Sequence, residues 1–152
     1  MNLREIEGHD DGSGLRIGVV VSTFNEVITD GLLKGALQAL EAAGVEDCTV
    51  VRVPGALEIG PAILKLTESG QDAIVAIGAV IEGETDHYEH VAMQTSSAIT
   101  SAALATGVPI TNAVLTVRQF NHARERSLPG PGNKGAEAAR AAVVMVTALR
   151  QI

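Results

Sequence analysis

Four short runs of β-branched and small apolar residues, each followed by a stretch with apolar side chains at helical spacing, restrict the fold of this chain more than any other feature. "LRIGVVVS" (residues 15–22) is nearly continuous in apolar character, as strands buried on both faces of a parallel sheet are. "CTVVRV" (48–53), "DAIVAIGAVI" (72–81) and "PITNAVLTV" (109–117) read as three further strands. Between the first two, Ile28, Leu32, Leu33, Ala36, Leu37 and Leu40 recur at the helical period, and Gly44 ends the helix. Helices are likewise predicted over 57–70, 86–107 and 134–150, with a short one in "RQFNHARERS" and a Pro/Gly loop, "LPGPG", behind it. The order βαβαβαβα calls for parallel crossovers and predicts an α/β fold, a three-layer doubly wound sandwich around a four-stranded parallel sheet.

At 152 residues the chain has room for one such domain. We place it at residues 15–152, behind an N-terminal arm over 1–14 that is either a frayed terminus or a segment pairing outside this core. The formal charge of −7, without a basic cluster, disfavours nucleic acid and anionic membrane as partners. No uncharged apolar run is long enough to span a bilayer, and "MNLREIEGHDDGSG" has no apolar stretch of signal-peptide type. Cys48 is alone, so no internal disulfide forms, which fits a reducing cytoplasm. Phe24, Phe120 and Tyr88 are the only aromatic residues. Alanine, valine and glycine therefore do the packing, which suits close contact between helices and between subunits.

In doubly wound folds ligands bind beyond the carboxyl ends of the strands. After the first strand come Phe24 and Asn25; Phe24 either stacks on a flat ring or staples the first helix. After the second comes "VPGALE" (53–58), a turn whose exposed amides, with Glu58, suit hydroxyl groups; as a helix-first carboxylate Glu58 also needs no function at all. The fourth strand carries Asn112 near its middle and Thr116 at its end, and the last loop holds Arg126, Asn133 and Lys134.

The end of the third strand, "GETDHYEHVA" (83–92), gathers acids and two histidines. Asp86 and Glu89 have the spacing of a capping box. Residues 83–85 then stand at a helix N-terminus, where free amides favour an anion, and His87 lies beside it as a proton carrier. His87 and His90 are three apart, not the four of H-E-x-x-H, so metal ligation is disfavoured and His90 is read as packed or exposed. "GPGNKG" fails the phosphate-loop pattern, with Asn133 the natural cap of the last helix. Lys134 at that helix start opposes the dipole, a hint of function, and Arg126 has the fork to clamp a phosphate.

In their order and spacing "VPGALEIGPA", "AIGAVIEGETDHYEHVA", "NAVLT" and "NKGAEAARAAVVM", with "FNEVITDGLLKGA" ahead of them, resemble the 6,7-dimethyl-8-ribityllumazine synthases over residues 15 to 150. The resemblance implies a flavodoxin-like fold and a transferase of the penultimate step of riboflavin synthesis. That step condenses 5-amino-6-(D-ribitylamino)uracil with 3,4-dihydroxy-2-butanone 4-phosphate, without metal or organic cofactor. It implies that Phe24 stacks on the pyrimidine, that Ala56, Leu57 and Glu58 face the ribityl chain, and that Ala79, Val80, Ile81 and Asn112 line the ring's pocket, with Lys134 on the ring oxygens. It further implies that Glu84, Thr85 and Arg126 hold the phosphate and that His87 moves protons. Members assemble as pentamers, decamers or sixty-subunit icosahedral shells with active sites between subunits, and riboflavin synthase is a candidate partner. The N-terminal arm would then add a strand to a neighbouring sheet.

The chain departs from the family's pattern at Glu82, where a cation is common, at Leu57 and Asn112, where aromatics are common, and in "SLPGPG". These departures motivate an alternative, a shell-forming or flavin- or lumazine-binding homologue with weak or lost catalysis. An archaeal-type riboflavin synthase is opposed by the "GETDH", Arg126 and "GNKG" set, and a phospho-receiver by the lack of paired acids at Ser22, Thr23 and Phe24.

Overall fold

The two most apolar runs take the middle of the sheet. A computed structural model describes residues 1–152. Its strands are β1 (Arg16–Ser22), β2 (Asp47–Val53), β3 (Ala73–Ile81) and β4 (Ile110–Val117), and its helices are α1 (Glu26–Ala42), α2 (Ile59–Glu68), α3 (His87–Thr106), α4 (Phe120–Ser127) and α5 (Lys134–Leu149). A 3-10 turn, Ala56–Glu58, leads into α2. All four strands are parallel, in the order β2-β1-β3-β4, so the doubly wound expectation holds. β2 is an edge strand whose only buried residue is Val53, which is why its sequence carries Asp47, Thr49 and Arg52 among the valines.

α1 and α5 pack together over one face of the sheet, with Ile28, Leu32, Leu40, Ala139 and Val143 against Val19, Val21, Val75 and Ile77. α2 and α3 cover the other, where Ile59, Ile63 and Ile99 meet Val20 and Ile74. Each fully buried aliphatic side chain contributes roughly 1.5–3 kcal/mol. Small residues set the spacing between α1 and α5: a Cβ at Gly135 would lie 1.9 Å from the Leu32 carbonyl oxygen.

The chain reverses its winding between β1 and β3. β1 pairs with β3 only as far as Val21 and Ile77, while β3 pairs with β4 through Ile81 and Val117. Residues 78–81 therefore run past the end of β1, and their free side opens a crevice at the topological switch point.

Residues 1–14 form no strand or helix. The arm lies along the far ends of α5 and α1: the His9 amide donates to Thr147 Oγ1 (2.8 Å), the Thr147 hydroxyl donates back to the His9 carbonyl (2.9 Å), and the Gly12 amide donates to the Ala43 carbonyl (2.7 Å). Gln151 adds a bond from Nε2 to the Glu7 carbonyl (2.7 Å).

Candidate active site

The crevice at the switch point is a cleft of about 550 Å³. Its walls are the ends of three strands: Phe24 after β1, residues 54–58 after β2, and Ala79, Val80 and Ile81 of β3. Gly83, Thr85, His87, Tyr88 and Val91 close it from the start of α3. Phe24 is 71 % exposed, so it does not staple α1 against the core. Its backbone is nonetheless held: the Thr23 amide donates to the Val53 carbonyl (2.8 Å) and the Phe24 amide to the Pro54 carbonyl (3.1 Å). An exposed ring on a fixed backbone, over an apolar floor, is what a stacking platform needs.

The helix α3, whose first turn lines the cleft, begins at His87. The capping box is a correction to the sequence expectation. Asp86 occupies the N-cap position with a helical backbone, φ −69° and ψ −1°, and its side chain makes no capping bond. A helical φ/ψ turns the carboxylate away from the first-turn amides, which a true cap reaches from an extended backbone. Thr85 Oγ1 instead accepts from the His87 amide at 3.4 Å. The acids of the loop point to water: Glu82, Glu84, Asp86 and Glu89 are all exposed, and Glu82 Oε2 lies 4.0 Å from Arg118 Nε. Screened by solvent, they oppose a bound anion only weakly. His90 is exposed as well.

The cations named from the sequence lie elsewhere. Arg126, Lys134 and Asn112 line a second cleft of about 440 Å³ between β4, α4 and α5, together with Thr116 and Glu137. Arg126 Nη1 donates to the His122 carbonyl (3.0 Å), which steadies the guanidinium at the last turn of α4. Lys134 Nζ pairs with Glu137 Oε2 at 2.6 Å, so the conflict between Lys134 and the helix dipole is answered within α5. Asn112 Oδ1 accepts from the Val114 amide of its own strand (2.8 Å). Asn133 caps α5 as expected, its Oδ1 accepting from the Ala136 amide (3.0 Å).

One chain thus brings Phe24, Ala56, Leu57, Glu58, Ala79, Val80, Ile81, Thr85 and His87 to one cleft, and Asn112, Arg126 and Lys134 to another. Glu84 lines neither. Pro54 and Gly55 of the turn read from the sequence line the first cleft too, as do Tyr88 and Val91, which the sequence reading did not name. Tyr88 and Val91, a helical step apart beside His87, could have been found from that spacing.

This architecture defines a class: a parallel α/β sandwich with a small-molecule cleft at the carboxyl edge of its sheet, carrying an aromatic platform and a histidine. Residues 14–150 match the family described as 6,7-dimethyl-8-ribityllumazine synthase, and the chain belongs to that family. Curated relatives of the same name agree. That of Thermococcus gammatolerans is 44 % identical over all of this chain and 99 % of its own length. That of Paraburkholderia phymatum is 47 % identical over 95 % of this chain and 84 % of its own. That of Kineococcus radiotolerans is 47 % identical over 93 % of this chain and 89 % of its own. These matches do not favour the alternative of a homologue without catalysis.

Proposed function

We propose how this chain performs the reaction of its family. It is a transferase of riboflavin synthesis that condenses 5-amino-6-(D-ribitylamino)uracil with 3,4-dihydroxy-2-butanone 4-phosphate to 6,7-dimethyl-8-ribityllumazine, phosphate and water. The pyrimidine stacks on Phe24 over Ala79, Val80 and Ile81, and its ribityl chain runs along Ala56, Leu57 and Glu58. The phosphate of the second substrate sits at the start of α3 beside Glu84 and Thr85, where free amides and the helix dipole favour an anion. The substrate's amine attacks the ketone and loses water to give an imine. A carbon-bound proton leaves as phosphate departs, the resulting enol becomes a ketone, and the second amine closes the ring with loss of another water. His87, at the mouth of the cleft, carries these protons. The substrates bring the reactivity, so positioning supplies most of the catalysis.

The observation that carries the assembly part of the proposal is the division of site groups between two clefts. Arg126, Lys134 and Asn112 complete the site only if the second cleft of one subunit meets the first cleft of its neighbour. Then Arg126 reaches the phosphate and Lys134 the ring oxygens. The exposed apolar side chains Met93 and Leu104 on α3, a helix that buries only Thr95, Ile99 and Ala102, support a subunit interface there. The working unit is a homo-oligomer in the cytoplasm, a pentamer or a multiple of it, with one domain over residues 15–152 and an arm over 1–14. Riboflavin synthase takes up the product. No helix is long and apolar enough to cross a membrane.

Two measurements test this together: lumazine formation from the two substrates, and the mass of the native particle. A rate no higher than the uncatalysed condensation overturns the enzyme assignment, and a catalytically active monomer overturns the shared site.

A further inference from the structure

Asn25 is the one non-glycine residue with a left-handed backbone, φ 60° and ψ 50°. That conformation is disfavoured for L-residues, although asparagine tolerates it better than most. Asn25 stands at the N-cap of α1, where an asparagine side chain ordinarily accepts from the first-turn amides, yet it makes no such bond. The side chain turns across the sheet instead and donates from Nδ2 to the Ala79 carbonyl at 3.1 Å. Ala79 lies where β3 has run past β1, so its carbonyl has no strand donor on that side, and the Asn25 amide fills the place. The loop is then pinned twice. Thr23 and Phe24 are bonded to the β2 end at Val53 and Pro54, and Asn25 is bonded to the β3 floor. Phe24, mostly exposed, has little packing of its own to set its direction.

We infer that Asn25 is a positioning residue, giving up its helix cap to tie the loop to Ala79 and so aim the Phe24 ring over residues 79–81. The inference rests on the first cleft being the pyrimidine site. The experiment measures the Kd of 6,7-dimethyl-8-ribityllumazine, with KM and kcat, in the assembled enzyme. Asn25→Gly keeps the left-handed backbone and removes the amide. It is expected to raise Kd and the pyrimidine KM about tenfold, the effect of one lost hydrogen bond, with kcat within about twofold. Asn25→Asp removes the donor at high pH. Its carboxyl, once protonated, donates to Ala79 again, so binding recovers toward the parent as pH falls. Glu58 and His87, the other titratable groups lining the cleft with Tyr88, are common to parent and variant and cancel in the ratio.

A Phe24→Ala background separates positioning from a general structural role. There Asn25→Gly is expected to cost nothing further. An undiminished loss in that background, or parental binding by Asn25→Gly, overturns the inference. Should Asn25→Gly disturb the assembly, the pH response of Asn25→Asp decides, and a pH-independent ratio to the parent overturns it. Phe24→Ala binding the lumazine as tightly as the parent would instead remove the cleft assignment itself.

Discussion

Phe24 and His87 line one cleft, and neither is buried enough to be needed for folding. Truncating an exposed side chain away from the core shifts stability by about 0.5 kcal/mol at most. His87→Ala is therefore expected to leave the thermal midpoint and particle mass unchanged. General acid–base contributions span about 10²–10⁴-fold, and reactive substrates place this one near the lower end, so kcat should fall about 10²-fold. Steady-state kinetics beside a melting curve check both halves, and an unchanged kcat removes His87 from proton transfer. Arg126 is a different case, because a guanidinium on a phosphate acts in binding before chemistry. A lost charged hydrogen bond is worth about 1.5–3 kcal/mol, so Arg126→Ala should raise the KM for the phosphate substrate about 10- to 100-fold and leave that for the pyrimidine nearly unchanged. At this scale the sequence was legible where local order decides position, as at His87, which follows β3 and lines the cleft at the strand ends. It was not legible at Asn25, whose bond to Ala79 depends on how far β3 outruns β1, nor at Asp86, whose spacing to Glu89 suits a cap but whose backbone is helical.

Between elements, one residue organises the place where the loop before α5 meets α1. Asn133 is 2 % exposed, and its Nδ2 lies within hydrogen-bond reach of the carbonyls of Gly31 (3.1 Å), Ser127 (3.0 Å) and Leu128 (3.1 Å). Its Oδ1 caps α5 through the Ala136 amide. Gly35 leaves room for it, since a Cβ there would lie 2.2 Å from Asn133 Oδ1. Asn133→Ala would strip the cap and leave buried carbonyls without a donor, a loss of about 2–4 kcal/mol. Chemical denaturation should show the midpoint falling with little change in slope, whereas a loss below about 0.5 kcal/mol would mean water or a shifted loop satisfies those carbonyls. The cap itself was readable from "NKG", because an asparagine before a helix has few better uses. The bond to the Gly31 carbonyl was not, because it joins α1 to a loop about a hundred residues away, and only the packing of α1 on α5 brings the two together. The elements were readable for the complementary reason: period and glycine punctuation are local. The edge strand β2 shows the limit, since its valines suggest burial that its position denies.

For the whole molecule, the division of the site between two clefts makes a quantitative expectation about mixtures. Phe24→Ala damages the first cleft of a subunit, and Arg126→Ala damages the second. If each site is built from the first cleft of one subunit and the second of its neighbour, neither variant alone contains an intact site. In a particle reassembled from equal amounts of both, a site is intact when an Arg126→Ala subunit offers its Phe24 to a Phe24→Ala subunit carrying Arg126. Random placement around a ring of heterologous interfaces gives that arrangement at about one site in four. Denaturing the two variants together and refolding them should thus restore about a quarter of the parental activity, assayed with both substrates below the parental KM, while each refolded alone stays low. The fold cannot supply this number if Arg126 serves the cleft of its own chain, because every chain in the mixture then keeps one damaged residue at its own site. Activity that stays at the average of the two variants would place Phe24 and Arg126 in the same subunit's site and require α4 to swing toward the start of α3. Recovery near a quarter requires no such movement, and it explains why Asn112, Arg126 and Lys134 stand together on a face of the chain away from His87.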